Sequence, residues 1–241
     1  MGHMIEQIAL ERGHEIVCRI DKPTPAPSLQ GGEKIFSPEE GFDSEAFRSA
    51  DVAIEFTTPA TAEENIRKSW ELNVPVISGS TGWNAQALID EDQRLHKKPM
   101  LIWKSNFSVG VNIFFELNKQ LAAAMAQQPQ YTPSIVETHH IHKLDKPSGT
   151  AVALANQIAQ TDDHVVVKAT DGSALPKNVK FSGAPIMTNG IPIESIREGE
   201  VPGTHTVTWD SEEDTIVITH IAKGRRGFAL GAVLAAEQIK N

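Results

Sequence analysis

The stretch Glu137-Thr-His-His-Ile-His-Lys-Leu-Asp-Lys-Pro-Ser-Gly-Thr-Ala151 holds three histidines, two lysines and a Ser-Gly-Thr turn within fifteen residues. The segment Ser134-Ile-Val136 just before it reads as a strand, and Thr150–Ala159 reads as an amphipathic helix. The polar residues therefore lie where a strand ends and a helix begins. Free backbone N–H groups and the positive helix end at such a junction favour a bound carboxylate or phosphate.

Five side chains of this junction add positive charge or exchangeable protons: His139, His140, His142, Lys143 and Lys146. The same residues also allow two simpler interpretations, a metal site and a solvated basic loop. His139 and His140 would point to opposite faces of a strand and no cysteine supports them, which disfavours a metal. A lone basic cluster in an acidic protein is less often accidental. We therefore interpret the junction as an acid–base and anion-binding site without a metal.

Composition narrows the classes of partner. A chain of 241 residues suffices for one large domain or two modest ones. The net charge of −9 argues against a nucleic-acid partner. No apolar run approaches the ~20 residues of a membrane span, and no secretory signal is recognisable. The single cysteine, Cys18, excludes an intrachain disulfide, so a cytoplasmic protein is expected.

The first half of the chain alternates short helix and strand patterns. Strands are predicted over Ile16–Ile20, Val52–Phe56, Val74–Ile77 and Met100–Trp103, and helices over Met4–Leu10 (closed by Gly13), Ser44–Ser49, Thr61–Leu72 and Ala85–His96. Prolines and glycines keep 23–32 irregular. Strands separated by crossover helices indicate a doubly wound parallel sheet.

The second half follows a different pattern. A long helix over Val111–Ala126 precedes the strand of the histidine junction, and further strands are predicted over Val165–Val167, Ile186–Ile196, Thr204–Trp209 and Thr215–His220. The last two strands alternate at period two around a polar turn, which indicates a hairpin. Gly227–Ile239 is a final helix. We expect an open mixed sheet with helices on one face, and its other face could pair with a second subunit.

The 137–151 stretch closely resembles the signature of the dihydrodipicolinate reductase family, Glu-x-His-His-x-His-Lys-x-Asp-x-Pro-Ser-Gly-Thr-Ala. Four other segments match that family: Phe56-Thr-Thr-Pro59, Gly79-Ser-Thr-Gly82, Asn106-Phe-Ser-Val-Gly-Val-Asn112 and Gly227-Phe-Ala-Leu-Gly-Ala-Val233. The resemblance implies a Rossmann-type dinucleotide-binding domain formed by 1–106 and 220–241. It also implies an α+β substrate-binding and oligomerisation domain over 107–219.

The resemblance further implies an activity, the NAD(P)H-dependent reduction of the cyclic dicarboxylate 4-hydroxy-tetrahydrodipicolinate to tetrahydrodipicolinate in lysine and diaminopimelate synthesis, by a homotetramer. By motif position His139 donates the proton, and Lys143 is a second candidate acid that stabilises the developing anion. His140 would contact the substrate, while His142 would be structural. Ser148, Gly149 and Thr150 form the turn expected to bind the second carboxylate.

The cofactor site is less complete in the sequence. A nicotinamide-binding sheet opens with a strand, a Gly-x-Gly-x-x-Gly turn and a helix. In the family frame Gly2 resembles the third glycine, with the first strand and two glycines absent. Met1–Met4 could instead be a cloning remnant, but the frame favours a truncated start. We expect such a chain to bind NADH weakly and to be less stable than a version that carries the strand.

Other expected cofactor contacts follow the strands. Asp21 lies where an acid accepts bonds from ribose hydroxyls, and its neighbour Lys22 could meet the 2′-phosphate of NADPH, so either NADH or NADPH is expected. Further candidates at strand ends are Phe56, Thr57, Gly79, Ser80, Thr81, Lys104, Ser105, Asn106 and Phe107. Arg225 resembles a basic position on the cofactor side of the cleft.

Two other functions compete with this interpretation. A two-domain aspartate or homoserine dehydrogenase would share the first half, although it has no reason to carry the histidine cluster. A non-catalytic dinucleotide or dicarboxylate sensor is compatible with the missing glycine-rich turn. Turnover of the dihydrodipicolinate precursor, with none of amino-acid alcohols, would exclude the first alternative. NADH oxidation by a full-length version would exclude the second.

Overall fold

A computed structural model of the chain describes residues 1–22, 35–161, 181–183 and 185–240. These residues form two units. Met1–Val109 and Arg226–Asn241 make up the first, and Gly110–Arg225 makes up the second. The irregular segment predicted at 23–32 and the strand predicted over Val165–Val167 lie outside the described residues. No helix in the described part is long and apolar enough to cross a membrane.

The first unit contains a three-stranded parallel sheet. Its strands β1 (Ala53–Glu55), β2 (Val76–Ser78) and β3 (Leu101–Trp103) lie in the order β1-β2-β3. Within its described residues this unit has six helices: α1 (Gly2–Glu11), α2 (Pro38–Asp43), α3 (Glu45–Arg48), α4 (Ala62–Glu71), α5 (Ala85–Leu95) and α8 (Arg226–Lys240).

Helices cover both faces of this sheet. Ile54 and Ile77 pack on the side of α1 and α8, whereas Val76 and Leu101 pack on the side of α4 and α5. Successive strand residues point to opposite faces, so apolar residues at consecutive positions require a cover on each side. The predicted doubly wound sheet is confirmed.

One predicted strand of this unit is wrong. Ile16–Ile20 is not a strand; within the described residues Ile20 forms only an isolated parallel bridge with Phe36. A strand is defined by repeated hydrogen bonds to a neighbour. The bridge consists of the bonds from Phe36 N–H to Arg19 O at 2.9 Å and from Asp21 N–H to Phe36 O at 3.1 Å. Helix α2, whose first turn is capped by the Ser37 hydroxyl, was not predicted from the sequence.

The second unit is built on a five-stranded mixed sheet in the order β5-β6-β4-β7-β8. Its strands are β4 (Thr132–His139), β5 (Ile186–Thr188), β6 (Ile191–Arg197), β7 (Thr204–Asp210) and β8 (Thr215–Ile221). Strand β4 pairs parallel with β6 and antiparallel with β7. The helices α6 (Val109–Met125) and α7 (Gly149–Thr161) pack with buried Ile135, Ile193 and Trp209 in one core. The predicted mixed sheet and the β7–β8 hairpin are confirmed.

The single strand predicted over Ile186–Ile196 is instead a tight hairpin, β5 and β6. Asn189 (φ 49°) and Gly190 (φ 85°) form its turn. Both residues have positive φ, which Asn and Gly tolerate best and which matches the twist of a two-residue hairpin. The Asn-Gly pair was the sequence signal for this turn.

Helix α8 packs tightly against the backbone of Phe107 at Gly231. A methyl group at Gly231 would lie 1.6 Å from the carbonyl oxygen of Phe107, whereas one at Gly227 would lie 3.6 Å from the Ser108 hydroxyl. Gly231→Ala should therefore push the helix away from the backbone and destabilise the protein by ~1–3 kcal/mol or more. Gly227→Ala, on the same helix, is the matched control and should melt near wild type. Equal melting temperatures for the two variants would contradict this packing.

Candidate active site

The register of the second sheet places four polar side chains of the candidate site on one face. Glu137 on β4 is paired with His205 on β7, and His139 on β4 is paired with Arg197 on β6. Alternation puts all four on the side of Ile135, which is buried in the core beneath α6 and α7. The site is thus a polar continuation of the hydrophobic core toward the end of β4.

Glu137 is the centre of this cluster and is fully buried, with 0% of its surface exposed. Its Oε2 is in hydrogen-bond contact with His139 Nδ1. Its Oε1 accepts bonds from Arg197 at 2.9 Å and from the Ser148 backbone N–H at 3.3 Å. Burial by itself raises the pKa of the Glu137 carboxyl, but the hydrogen bonds from His139 and Arg197 lower it well below its usual value. The carboxylate is therefore ionised at neutral pH.

Arg197 also fixes the loop that follows β4. Its guanidinium donates to three backbone carbonyl oxygens, those of Lys143 at 3.2 Å, Asp145 at 2.6 Å and Ile196 at 2.7 Å. One charged side chain thus ties the loop to the sheet and to the Glu137 carboxylate. The basic loop is held in place by this contact.

Ser148 and the start of α7 form the next wall. The Ser148 hydroxyl accepts a bond from the Ala151 N–H at 3.3 Å and lies 3.0 Å from His205 Nε2. Gly149 and Thr150 open the helix, and Gly149 is exposed. The amide groups of such a first turn suit a carboxylate, as the sequence predicts.

His205 is a second buried histidine, 4% exposed, and it was not predicted from the sequence. Burial, together with repulsion by nearby His139, lowers the pKa of His205 to about 4. The two rings meet edge to face with centroids 5.0 Å apart. At neutral pH His205 is therefore uncharged.

The other predicted substrate residues lie in the loop. Lys143 forms an ion pair with Asp145 at 2.8 Å, so its charge is close to the cluster but already partnered. His140 is half-buried, and its Nδ1 has no hydrogen-bond partner among the residues that the structure describes. His142 is exposed and lies 3.1 Å from Glu200.

Glu137, His139 and His205 offer ligand atoms that all lie within 4.8 Å of one another. These residue types could bind a transition metal. However, His139, Arg197 and Ser148 already occupy both oxygens of the carboxylate. The Arg197 cation would also repel a metal ion. The arrangement favours acid–base chemistry.

The carboxyl edge of the first sheet has its own buried acid, Glu55, which was not predicted from the sequence. Glu55 accepts bonds from Ser78 at 2.5 Å, from Ser80 at 2.7 Å and from the Thr57 N–H at 2.7 Å, and also from the Thr57 hydroxyl. The hydroxyls of Thr57 and Ser80, predicted to bind cofactor, are therefore directed to Glu55. These hydroxyls therefore fix the conformation of the loops at the carboxyl edge of the sheet.

The remaining cofactor candidates differ in accessibility. Phe107 is buried, and its ring centroid lies 5.9 Å from that of Phe56, so the two rings pack together beneath the carboxyl edge of the sheet. A methyl group at Gly79 would lie 2.1 Å from the Phe56 ring, which explains the glycine. Asn106 accepts a bond from the Ser108 N–H at 2.9 Å. Gly2, Asp21, Lys22, Thr81, Lys104, Ser105 and Arg225 are exposed.

Comparison with known proteins agrees with the motif. The family profile described as dihydrodipicolinate reductase, N-terminus, matches residues 1–107, and the one described as dihydrodipicolinate reductase, C-terminus, matches residues 110–241. The chain belongs to the dihydrodipicolinate reductase family. The resemblance drawn from the sequence is thereby confirmed.

Relatives of this reductase-family chain match along its whole length. A 4-hydroxy-tetrahydrodipicolinate reductase of Christiangramia forsetii is 41% identical over 244 residues, covering 100% of this chain and 89% of the relative. One from Acinetobacter baumannii is 29% identical over 246 residues, covering 98% and 86%. The solved dipicolinate-bound dihydrodipicolinate reductase from Paenisporosarcina has the same fold, with a TM-score of 0.74 at 22% identity, covering 100% of this chain and 90% of that one.

The lowered pKa of His205 makes stability depend on pH. The folded state binds this proton near pH 4 and the unfolded state near 6.5, so stability is lost as pH falls from 6.5 to 4. The full loss is ~3 kcal/mol. His205→Gln should flatten the decline of melting temperature over this window, while the exposed-site control His142→Gln should follow wild type. An unchanged slope in His205→Gln would show that another group carries the effect.

Proposed function

We propose that this chain reduces 4-hydroxy-tetrahydrodipicolinate to tetrahydrodipicolinate with NADH or NADPH, a step of lysine and diaminopimelate synthesis. The proposal rests on one observation: the buried Glu137 carboxylate holds His139 beside the start of α7 and the loop that contains Lys143. A proton donor and groups for two carboxylates are thus close together. Family membership supports the same activity.

The residues of the first unit suit a pyridine nucleotide. Helix α1 starts at Gly2, where a methyl group would meet no atom within 4 Å, and no side chain caps its first turn. Helix N-termini of this kind suit phosphate. The exposed Asp21 carboxylate suits ribose hydroxyls, and Thr81 supplies a hydroxyl at the strand edge. The bound nucleotide would supply the hydride.

The second unit would supply the proton and the substrate contacts. His139 Nδ1 faces Glu137, so Nε2 is the nitrogen left to protonate the reduced ring. Lys143 can exchange its ion pair with Asp145 for one with a substrate carboxylate, and it would stabilise the developing anion. His140 would contact the ring. Gly149 and Thr150 would bind the other carboxylate, with Ser148 shaping their turn.

We infer that both nucleotides are accepted, because Asp21 and Lys22 lie side by side and are both exposed. The acid would serve the ribose of NADH and the base the 2′-phosphate of NADPH. The same proposal places the chain in the cytoplasm, in keeping with its free Cys18.

We also propose a homotetramer that uses the open face of the second sheet. Ile218 on β8 is paired with buried Val207, so Val217 and Ile221 point to the opposite face. These two side chains are 52% and 65% exposed. Apolar residues on an uncovered sheet face favour association with another copy.

Turnover of freshly formed 4-hydroxy-tetrahydrodipicolinate with NADH oxidation tests the activity. In that assay His139→Gln should lower kcat by ~10²–10⁴-fold with little change in KM, because a general acid acts in the transition state. His142→Gln is the matched control, because His142 is exposed in the loop that follows β4, and this variant should retain activity. No turnover by wild-type protein would refute the function, and a fully active His139→Gln would refute the role of His139.

Pyridine-2,6-dicarboxylate, a planar analogue with two carboxylates, should bind competitively beside Lys143 and the start of α7. Lys143→Ala should weaken its binding roughly tenfold, equivalent to about 1.4 kcal/mol. Lys146→Ala, exposed in the same loop, should bind it as wild type does. Calorimetry at rising salt should show weakening, since charge pairing contributes. Equal binding by Lys143→Ala and wild type would remove Lys143 from the carboxylate site.

A further inference from the structure

Glu137 constrains the chemistry of His139. An ionised carboxylate can only accept hydrogen bonds, so the His139 nitrogen that faces it, Nδ1, must carry a proton. This leaves Nε2 as the nitrogen that gains and loses a proton. The tautomer of the neutral ring is therefore set by its carboxylate neighbour.

The carboxylate cannot follow the ring if the ring moves. Its second oxygen is bound by Arg197 and by the Ser148 N–H, and the guanidinium of Arg197 is fixed in turn by three backbone carbonyls. The Arg197 side chain is only 7% exposed. Strands β4 and β6 and the start of α7 together determine where the carboxylate lies.

Space is kept beside the other nitrogen. A methyl group at Gly203 would lie 3.0 Å from His139 Nε2, and Gly203 has φ of +148°, which side-chain-bearing residues rarely adopt. A side chain at this position would therefore crowd Nε2, and glycine avoids that contact. The neighbouring His205 ring is buried, and its Nε2 lies 3.0 Å from the Ser148 hydroxyl.

We infer that Glu137 is a positioning residue for the proton-transfer step: held by Arg197, it fixes His139 as the Nδ1–H tautomer and aims Nε2 at the substrate. The inference rests on the proposed function of His139. In this step the Nε2–H bond of the His139 imidazolium breaks, and the proton forms a C–H bond on the substrate ring, which has already accepted the hydride. The neutral imidazole, protonated on Nδ1, remains. Solvent then returns a proton to Nε2.

Glu137→Gln is the direct test, since it keeps the shape of the side chain and removes its charge. We expect kcat to fall ~10²-fold, within the range of general acid catalysis, with KM for the nucleotide unchanged. The alkaline limb of the kcat/KM profile should move to lower pH, because the imidazolium loses its anionic neighbour. The substitution leaves in place the other charged or titratable groups around Glu137 and His139, which are Arg197, His205 and the Lys143–Asp145 ion pair.

Glu200→Gln is the matched control, because it removes an exposed carboxylate that is bonded to His142 in the loop after β4. It should leave both kcat and the pH profile unchanged. Glu137→Gln with wild-type kcat and profile would overturn the inference, whereas an inactive wild-type protein would refute the proposed function instead.

A measurement on unaltered protein covers the case in which Glu137→Gln fails to fold. ¹⁵N NMR of the histidine rings reports which nitrogen carries the proton. Neutral His139 should show a protonated Nδ1 and a bare Nε2, whether or not the chain is an active reductase. A neutral His139 protonated on Nε2 would overturn the inference.

Discussion

The buried ion pair between Glu137 and Arg197 is the contact on which the second unit depends. Burying a carboxylate away from water costs free energy unless cations and N–H groups bond to it. Here His139, Arg197 and the Ser148 N–H provide those bonds. Removing one partner of such a pair typically costs ~3–5 kcal/mol, since the other charge stays buried. The pair joins β4, β6, the basic loop and the start of α7. The positions of the proposed substrate groups follow from that single constraint.

Both units use a buried carboxylate at the end of a strand to arrange the loops around it. Glu55 at the end of β1 is surrounded by neutral donors, the hydroxyls of Ser78 and Ser80 and the backbone of Thr57. Glu137 near the end of β4 is surrounded by an arginine and a histidine. The difference matches the chemistry proposed for each unit. The donors around Glu55 fix the loops at the edge of the first sheet, whereas a charged pair beside an imidazole suits proton transfer.

The sequence predicts much of this architecture because its local signals agree with the tertiary structure. Period-two alternation gave the β7–β8 hairpin, and the histidine motif located His139 and Lys143 at a strand–helix junction. It did not reveal Arg197 or His205, which reach the site through the pairing of distant strands. The inward direction of Glu55 and of the Ser80 hydroxyl likewise depends on packing between strands. The failed strand at Ile16–Ile20 had a suitable pattern, but among the described residues it has only a bridge to Phe36.

The central claim is that Glu137 and His139 act as one unit, and a double-mutant cycle in kcat tests it most directly. Reductase rates would be compared for wild type, Glu137→Gln, His139→Gln and the double variant. If the carboxylate acts only through the imidazole, losing both groups should cost no more than losing His139 alone. Losses that multiply, so that the double variant is slower than His139→Gln by the full factor seen for Glu137→Gln, would contradict the account.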